Sequence, residues 1–207
     1  MIGFYNYTVI LTYIGMISGF VGISFAAAGE LKAALICLVI AGFCDMFDGK
    51  IASTMKRTTS EKRFGIQIDS LSDLICFGAL PAMIMCSCAA FSRPICIGIG
   101  ALYLLCALIR LAWFNVDEEE RQGKEDGCRH TYLGLPVTSS ALIVPFAFGI
   151  SCYFELPTQY IAPAVLSLVA VAFLTPFKLK KPGNLGKVIM MLIGAAGLVT
   201  VLVGVPA

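Results

Sequence analysis

Charged residues are scarce in this sequence: they make up 14% of its 207 residues, whereas 58% are hydrophobic. Soluble domains carry about 25% charged residues, so this composition indicates an integral membrane protein. The formal net charge is only +2, and we expect no nucleic-acid partner.

Histidine is nearly absent, and the cysteines form no recognisable metal motif. His130 is the single histidine, and the nine cysteines include no C-x-x-C pair and no zinc spacing. We interpret His130 as a loop residue rather than a catalytic base. The cysteines lie mostly in apolar runs and are interpreted as small, buried, reduced residues.

Long apolar runs are what the sequence does contain. They predict an all-α integral membrane protein, a polytopic bundle of about seven transmembrane helices, with six or eight as alternatives. Each run is long enough to cross a hydrocarbon core of about 30 Å at about 1.5 Å per residue. The whole chain, residues 1–207, is predicted to form a single membrane domain. The predicted spans are residues 8–28, 31–52, 65–90, 95–116, 132–154, 158–177 and 184–207.

The basic residues predict the orientation of these spans. If the N-terminus is cytoplasmic and the spans alternate, only Lys32 and Arg93 fall on the outer side. The remaining basic residues of the loops and helix ends then face the cytoplasm: residues 50, 56, 57, 62, 63, 110, 121, 124, 129, 178, 180, 181 and 187. We therefore expect the second span to end, and the third to begin, at the cytoplasmic side of the plasma membrane.

Four aspartates lie at this cytoplasmic edge, Asp45 and Asp48 near the end of the second span and Asp69 and Asp73 at the start of the third. A carboxylate inside a membrane helix costs about 2.5–3.5 kcal/mol on insertion scales. Spacings of three and four residues place each pair on one helix face, and the short connection makes the two helices antiparallel neighbours. Carboxylate oxygens in this number suit Mg²⁺, Mn²⁺ or Ca²⁺. Two such ions are a known arrangement for phosphoryl-type transfer.

Small residues accompany the aspartates on the same helix faces. Gly49 follows Asp48 directly, Ala52 lies four residues beyond it, and Gly65 lies four residues before Asp69. A bulky side chain at these positions would block the close approach of a ligand or of the other helix. Each helix is thus predicted to present a stripe of carboxylates and small residues that can hold metal beside a nucleotide.

Together these residues read D-x-x-D-G-x-x-A and then G-x-x-x-D-x-x-x-D, which resembles the signature of the CDP-alcohol phosphotransferase family. The resemblance covers most of residues 8–145, interpreted as the catalytic core, and leaves residues 146–207 as additional transmembrane helices. It implies that the four aspartates bind two divalent cations, Mg²⁺ or Mn²⁺ with Ca²⁺ as another occupant, and that Asp73 is the general base. It also implies nucleotide contacts from Asp45, Gly49, Ala52, Ser53, Gly65 and Thr12.

The sequence departs from the family pattern at two places. Ser53 stands where the family usually has Arg, and the segment from there to Gly65 is three residues longer than usual. Lys56 and Arg57 are candidates to supply the missing charge to ligand phosphates, with a solvated loop beside anionic lipid as the alternative. In the first span Thr12 resembles a family position near the nucleotide, but Gly15 replaces an Asn there, which favours helix packing over ligand contact.

Residues 69–81, 110–115 and 134–141 are similar to the branch of the family that uses serine as acceptor. This resemblance implies transfer of a phosphatidyl group from CDP-diacylglycerol to L-serine, in a homodimer surrounded by membrane lipids. Arg110 is the candidate to bind the serine carboxylate, although Trp113 stands where that branch has a second Arg. The alternative is that Arg110 pairs with an aspartate or a lipid phosphate. Asn115 is a weaker candidate for polar contacts with the acceptor.

Two other functions fit parts of the pattern. The same chemistry with glycerol phosphate or inositol phosphate as acceptor would favour several cations in the pocket, whereas the spans contain chiefly Arg110. A cation transporter would have acidic residues spread along a path or near broken helices at the midplane. Here they cluster at one edge beside Gly49, Gly65 and a basic loop, which favours an enzyme.

Overall fold

The computed structural model describes residues 3–122, 131–180 and 184–205, and most of these residues are helical. The helices are α1 (Ile10–Ala28, entered through a 3₁₀ turn at Tyr7–Val9), α2 (Leu31–Ala52), α3 (Thr59–Asp73), α4 (Leu80–Cys88), α5 (Arg93–Gln122), α6 (Ser140–Tyr153, entered through a 3₁₀ turn at Val137–Ser139), α7 (Thr158–Leu174) and α8 (Asn184–Gly204). A π-helical segment, Leu74–Ala79, joins α3 to α4 without a break. Within the described ranges the chain therefore forms seven helical rods, which confirms the predicted all-α bundle.

Three rods are long and apolar enough to cross a membrane by length and composition: Tyr7–Ala28, Thr59–Cys88 and Arg93–Glu120. The apolar helices α6, α7 and the Ile189–Gly204 part of α8 are shorter. Large side chains on the outside of the bundle are apolar, with Leu168, Val171 and Val203 exposed by 71%, 66% and 69%. Such a surface is suited to lipid rather than to water, and the protein is an integral membrane protein.

The third rod begins earlier than the sequence prediction placed it. Helix α3 starts at Thr59, so the predicted loop through Phe64 is wrong and the connection from α2 is only six residues long. The cause is a capping box: the Thr58 hydroxyl accepts a hydrogen bond from the Glu61 backbone N–H (3.3 Å), and the Glu61 carboxylate accepts one from the Thr58 N–H (2.8 Å). The T-x-x-E pattern at residues 58–61 was the overlooked signal.

The predicted boundaries of the fourth and fifth spans are also wrong. Helix α5 extends to Gln122 instead of ending at residue 116, and Arg63 of α3 forms an ion pair with Glu119 of α5. The predicted fifth span begins with a short strand instead, because β1 (Thr131–Leu133) pairs antiparallel with β2 (Lys178–Lys180). His130 lies outside the described residues.

Two glycines of α1 bring the helices that carry the aspartates close together. A Cβ atom at Gly22 would lie 2.8 Å from the Cys37 Cβ of α2, and one at Gly19 would lie 2.7 Å from the Cys76 Sγ of the π segment. Only a residue without a side chain allows this approach. Helix α1 thus packs against both α2 and the end of α3 and fixes their relative position.

The π segment is tied to two neighbouring helices through one carbonyl. Pro81 lacks the N–H that a regular helix would donate to the carbonyl of Phe77, four residues earlier. That carbonyl instead accepts hydrogen bonds from the Tyr103 hydroxyl of α5 (2.7 Å) and the Ser140 hydroxyl of α6 (3.2 Å). The helix is therefore widened just before the proline and is hydrogen-bonded there to α5 and α6.

Candidate metal and substrate site

Three of the four aspartates converge at the end of α2 and the middle of α3. Asp45, Asp48 and Asp69 each offer one carboxylate oxygen, and these oxygens lie within 4.8 Å of one another. Like charges at this separation repel unless a cation lies between them. The donor set is made of hard oxygen atoms, which suits a divalent cation such as Mg²⁺, Mn²⁺ or Ca²⁺. The residues present thus fit the predicted metal.

Asp73 lies one helical turn beyond Asp69 and outside this group of three. Its exposed fraction is 9%, and it lines a cavity together with Asp45 and Asp69. Among the residues that the structure describes, none donates a hydrogen bond to the Asp73 carboxylate. Asp73 is also the last residue before the π segment, a feature that is frequent at functional sites.

The cavity has a volume of about 590 Å³ and lies between α2, α3, α5, α6 and α8. This volume is typical of ligand sites, which enclose about 300–1,000 Å³. Its polar lining residues are Asp45, Asp69, Asp73, Arg110, Thr138 and Ser139. The rest is largely apolar and includes Val39, Phe43, Met46, Leu142, Met190 and Met191. The cavity can therefore bind a molecule with a charged head and an apolar tail.

Arg110 is buried, with 7% of its surface exposed, and lines the cavity from α5. Its Nε donates a hydrogen bond to the Leu135 carbonyl (3.1 Å), and its Nη2 donates one to the Gly134 carbonyl (3.5 Å). Both acceptors are neutral backbone carbonyl groups, and they hold the guanidinium group in place. Arg110 therefore brings a positive charge to the same cavity as the aspartates.

Thr12 and Asn115 each form a hydrogen bond with a residue of the two helices that carry the aspartates. The buried Thr12 hydroxyl donates a hydrogen bond to Asp48 Oδ2 (3.4 Å), which links α1 to the group of three aspartates. Asn115 does not line the cavity, and its Oδ1 accepts a hydrogen bond from the Ser70 hydroxyl (2.8 Å). In this conformation Asn115 supports α3 from outside the cavity.

Comparison with known sequences places this arrangement in a family. The family model described as CDP-alcohol phosphatidyltransferase matches residues 5–200. The chain belongs to this family. The match covers nearly all of the chain, including the carboxylates and every helix that lines the cavity.

Curated proteins similar to this family member carry related names. Archaetidylserine synthase of Methanothermobacter thermautotrophicus is 33% identical over 160 residues, which are 77% of this chain and 65% of that protein. CDP-diacylglycerol–serine O-phosphatidyltransferase of Mycobacterium tuberculosis is 28% identical over 64% of this chain and 45% of its own length. The protein of that name from Bacillus subtilis is 28% identical over 64% of this chain and 70% of its own length. The first two matches thus span less than two thirds of the relatives' own lengths.

The signature positions around the aspartates differ in how closely they are packed. A Cβ atom at Gly49 would meet nothing within 4 Å, whereas one at Gly65 would lie 3.1 Å from Arg57 Nη1. The Arg57 guanidinium group therefore lies over Gly65, while Lys56 is exposed. Of the two candidates for the family's missing cation, Arg57 is the one next to the signature.

Ala52 and Ser53 lie where α2 ends. Ala52 is half-buried, whereas Ser53 is exposed and its hydroxyl donates a hydrogen bond to the Lys50 carbonyl (2.6 Å). Ser53 therefore caps its own helix. Because its hydroxyl is uncharged, it does not replace the positive charge that the family has at this position.

Two hydroxyl residues of the cavity were not singled out from the sequence. Thr138 and Ser139 belong to the turn that leads into α6 and line the same cavity as the aspartates. The Ser139 hydroxyl donates to the Pro136 carbonyl (2.6 Å), whereas Thr138 makes no side-chain hydrogen bond to any described residue. Both lie in the stretch 134–141 that resembled the family. Only the tertiary structure shows that these two side chains reach the cavity.

Proposed function

We propose that this protein transfers the phosphatidyl group of CDP-diacylglycerol to L-serine, which gives phosphatidylserine and CMP. The observation that carries this proposal is the cavity itself, whose lining combines three of the aspartates and Arg110 with mainly apolar side chains. A lipid-linked nucleotide has this combination of a charged diphosphate and apolar chains. The names of the relatives, archaetidylserine synthase and CDP-diacylglycerol–serine O-phosphatidyltransferase, support the same reaction.

Asp45, Asp48, Asp69 and Asp73 would hold two divalent cations, Mg²⁺ or Mn²⁺, with Ca²⁺ able to occupy the same oxygen ligands. When bound, these ions supply positive charge for the diphosphate and for the departing CMP. The Thr12 hydroxyl orients Asp48 through its hydrogen bond. Gly49 leaves room for the nucleotide, with Ala52 nearby at the end of α2. Arg57, which lies over Gly65, supplies a cation beside it, rather than Ser53 or Lys56.

The transfer needs one proton acceptor and no covalent enzyme intermediate. The serine oxygen forms a bond to the phosphatidyl phosphorus as the bond from that phosphorus to the CMP oxygen breaks. Asp73 accepts the proton of the serine hydroxyl as general base. Its carboxylate is buried, lines the cavity and receives no hydrogen bond from the described residues, so its oxygen atoms are available to the acceptor.

Arg110 would bind the carboxylate of the acceptor, since a guanidinium group forms strong charge-assisted hydrogen bonds with carboxylates. It is the single basic side chain among the described residues that line the cavity. A doubly charged phosphate acceptor, such as glycerol phosphate or inositol phosphate, would favour additional cations. The cavity lining thus favours serine. Asn115 would act on the acceptor site only indirectly, by accepting a hydrogen bond from Ser70 of α3.

Changing Arg110 to Ala tests this role. We expect the KM for serine to rise by about tenfold or more, because a charge-assisted contact contributes roughly 1.5–3 kcal/mol. The KM for CDP-diacylglycerol should change little. Initial rates of CMP release at varied concentrations of each substrate measure both values. An unchanged KM for serine would remove Arg110 from the acceptor site.

We further propose that residues 8–145 form the catalytic core, with residues 146–207 as additional helices. Helix α8 also contributes Met190, Met191 and Gly194 to the cavity wall, so these helices would help to enclose the lipid. By resemblance to the family we propose a homodimer in the plasma membrane, with the diphosphate site facing the cytoplasm.

An acceptor panel tests the proposed reaction directly. Purified protein is given CDP-diacylglycerol, Mn²⁺ or Mg²⁺, and serine, glycerol phosphate or inositol phosphate in separate reactions. We expect CMP release with serine and not with the two phosphorylated alcohols. Release with one of them would reassign the acceptor. Cation flux into liposomes without CMP release would favour a transporter instead.

A further inference from the structure

We infer that Gly134 is a positioning residue for the acceptor, because its backbone conformation sets the orientation of the Arg110 guanidinium group. This inference rests on the proposed function of Arg110. It concerns the backbone segment of residues 131–135, here called the acceptor ribbon, which lies between the end of α5 and the turn into α6.

The acceptor ribbon is fixed along its length to the end of α7 and the segment after it. Strand β1 pairs with β2 in the register Leu133↔Lys178. Beyond the strand, the Gly134 N–H donates to the Phe177 carbonyl (2.7 Å) and the Leu135 N–H donates to the Ala172 carbonyl (3.3 Å). Consecutive backbone hydrogen bonds of this kind hold the peptide planes of residues 134 and 135 in a defined direction.

The two carbonyl groups fixed in this way are the ones that hold Arg110. The Gly134 carbonyl accepts from Nη2 and the Leu135 carbonyl accepts from Nε, so two different nitrogen atoms of one planar group are bound. Two contacts of this type restrict both the position and the rotation of the guanidinium plane. Since Arg110 lines the cavity, the direction of the ribbon carbonyls determines how its charge faces an acceptor carboxylate.

Glycine is required at the centre of this arrangement. Gly134 has φ +75°, a conformation that residues with a side chain rarely adopt. A Cβ atom there would also lie 2.9 Å from the Thr175 carbonyl oxygen and 3.7 Å from Arg110 Nε. A side chain at residue 134 would therefore displace the peptide planes on either side of it and, with them, the guanidinium group.

The test compares Gly134→Ala with Gly29→Ala in the full-length protein. Gly29 is a matched control because it also has a positive φ (+85°). It follows the last residue of α1, does not line the cavity, and has nothing within 4 Å of a Cβ position. We expect Gly134→Ala to raise the KM for serine by about tenfold, since small displacements of a positioning group have large effects. The KM for CDP-diacylglycerol should stay within about twofold of the wild type, and Gly29→Ala should leave both values unchanged.

A double variant separates positioning through Arg110 from a general effect on folding. If Gly134 acts through Arg110, adding Gly134→Ala to Arg110→Ala should not raise the KM for serine further. Additive effects, or equal increases in both KM values in Gly134→Ala, would overturn the inference. If Arg110→Ala raises the KM for serine while Gly134→Ala does not, the positioning role fails and the proposed acceptor role of Arg110 stands. If neither variant changes the KM for serine, the positioning role of Gly134 and the acceptor role of Arg110 both fail.

Arg110→Lys tests whether the orientation of the guanidinium group matters, and it leaves the acceptor ribbon unchanged. This variant is needed if Gly134→Ala does not accumulate in membranes. Lysine keeps the charge but has no planar group to bind both carbonyls in one orientation. We expect its KM for serine to rise nearly as much as that of Arg110→Ala. A wild-type value in Arg110→Lys would show that charge alone suffices and would overturn the inference.

Discussion

Asp73 differs from the other three aspartates in its surroundings, and this difference predicts a different effect when it is changed. It lies outside the 4.8 Å group of carboxylate oxygens and faces the cavity. We expect Asp73→Asn to abolish CMP release, because an amide cannot take up the proton of the serine hydroxyl. Some metal-dependent binding of a CDP analogue should remain, because the other three carboxylates are intact. Glu30→Gln, at the exposed opposite end of the bundle, should behave as the wild type. Full activity of Asp73→Asn would exclude Asp73 as the base.

Asp45 and Asp69 should instead determine the requirement for metal. Removing one carboxylate of the group in Asp45→Ala or Asp69→Ala takes away a ligand atom. Changes around metal sites weaken metal binding by about 10–100-fold, and we expect the metal concentration for half-maximal activity to rise at least that much. Titration of activity with Mn²⁺ or Mg²⁺ after chelation measures the shift. If the titration curve keeps its midpoint and only its amplitude falls, these carboxylates are not metal ligands.

Some site residues could be predicted from the sequence because their relation is local. Spacings of three and four residues place Asp45 with Asp48, and Asp69 with Asp73, on single helix faces whatever the tertiary structure is. The convergence of the two pairs needed only a short connection between α2 and α3. Thr138 could not be predicted in this way, because it reaches the cavity only when α6 packs against α2.

At the scale of elements, the least accurate predictions were boundaries set by single side-chain contacts. The start of α3 depends on the reciprocal hydrogen bonds of Thr58 and Glu61, which hydropathy does not detect. The extension of α5 runs through the charged residues 117–122, which lie beyond the predicted fourth span because the apolar run ends at residue 116. Strands β1 and β2 are three residues each and pair residues 45 or more positions apart, so no local pattern indicated them.

The π segment offers a prediction about stability. In Tyr103→Phe the Phe77 carbonyl loses its shorter hydrogen bond and keeps only that from Ser140. We expect a loss of about 1 kcal/mol in the free energy of unfolding, and a larger loss, about 1–3 kcal/mol, when Ser140→Ala is added and the buried carbonyl has no side-chain donor. Thermal unfolding in detergent measures both variants.

Tyr7→Phe is the matched control for this prediction. It also removes a tyrosine hydroxyl, but one that shares an exposed hydrogen bond with Thr54 (3.0 Å). Its melting temperature should equal that of the wild type. If Tyr103→Phe unfolds at the same temperature as Tyr7→Phe, the hydroxyl contact to the π segment contributes nothing measurable to stability.

For the whole molecule, composition was enough to predict a membrane-embedded helix bundle, because so apolar a chain cannot cover its surface with polar groups. The number and order of helices followed from the apolar runs, since each run must satisfy its backbone hydrogen bonds internally. The cavity between α2, α3, α5, α6 and α8 could not be predicted from the apolar runs. These runs do not indicate which helix faces pack together, and that depends on long-range contacts.

The orientation of the bundle gives the last prediction. The asymmetry of Lys and Arg predicts that residues 123–130 are in the cytoplasm and that the turn of residues 89–92 is outside. An epitope tag inserted between Ala90 and Phe91 of the full chain should be accessible to antibody in intact cells or spheroplasts. A tag inserted within residues 123–130 should become accessible only after permeabilisation, and CMP release by both tagged proteins verifies that they are folded. The reverse accessibility would place the aspartates at the outer face, away from the cytoplasmic nucleotide pool. It would contradict the proposal that the diphosphate site faces the cytoplasm.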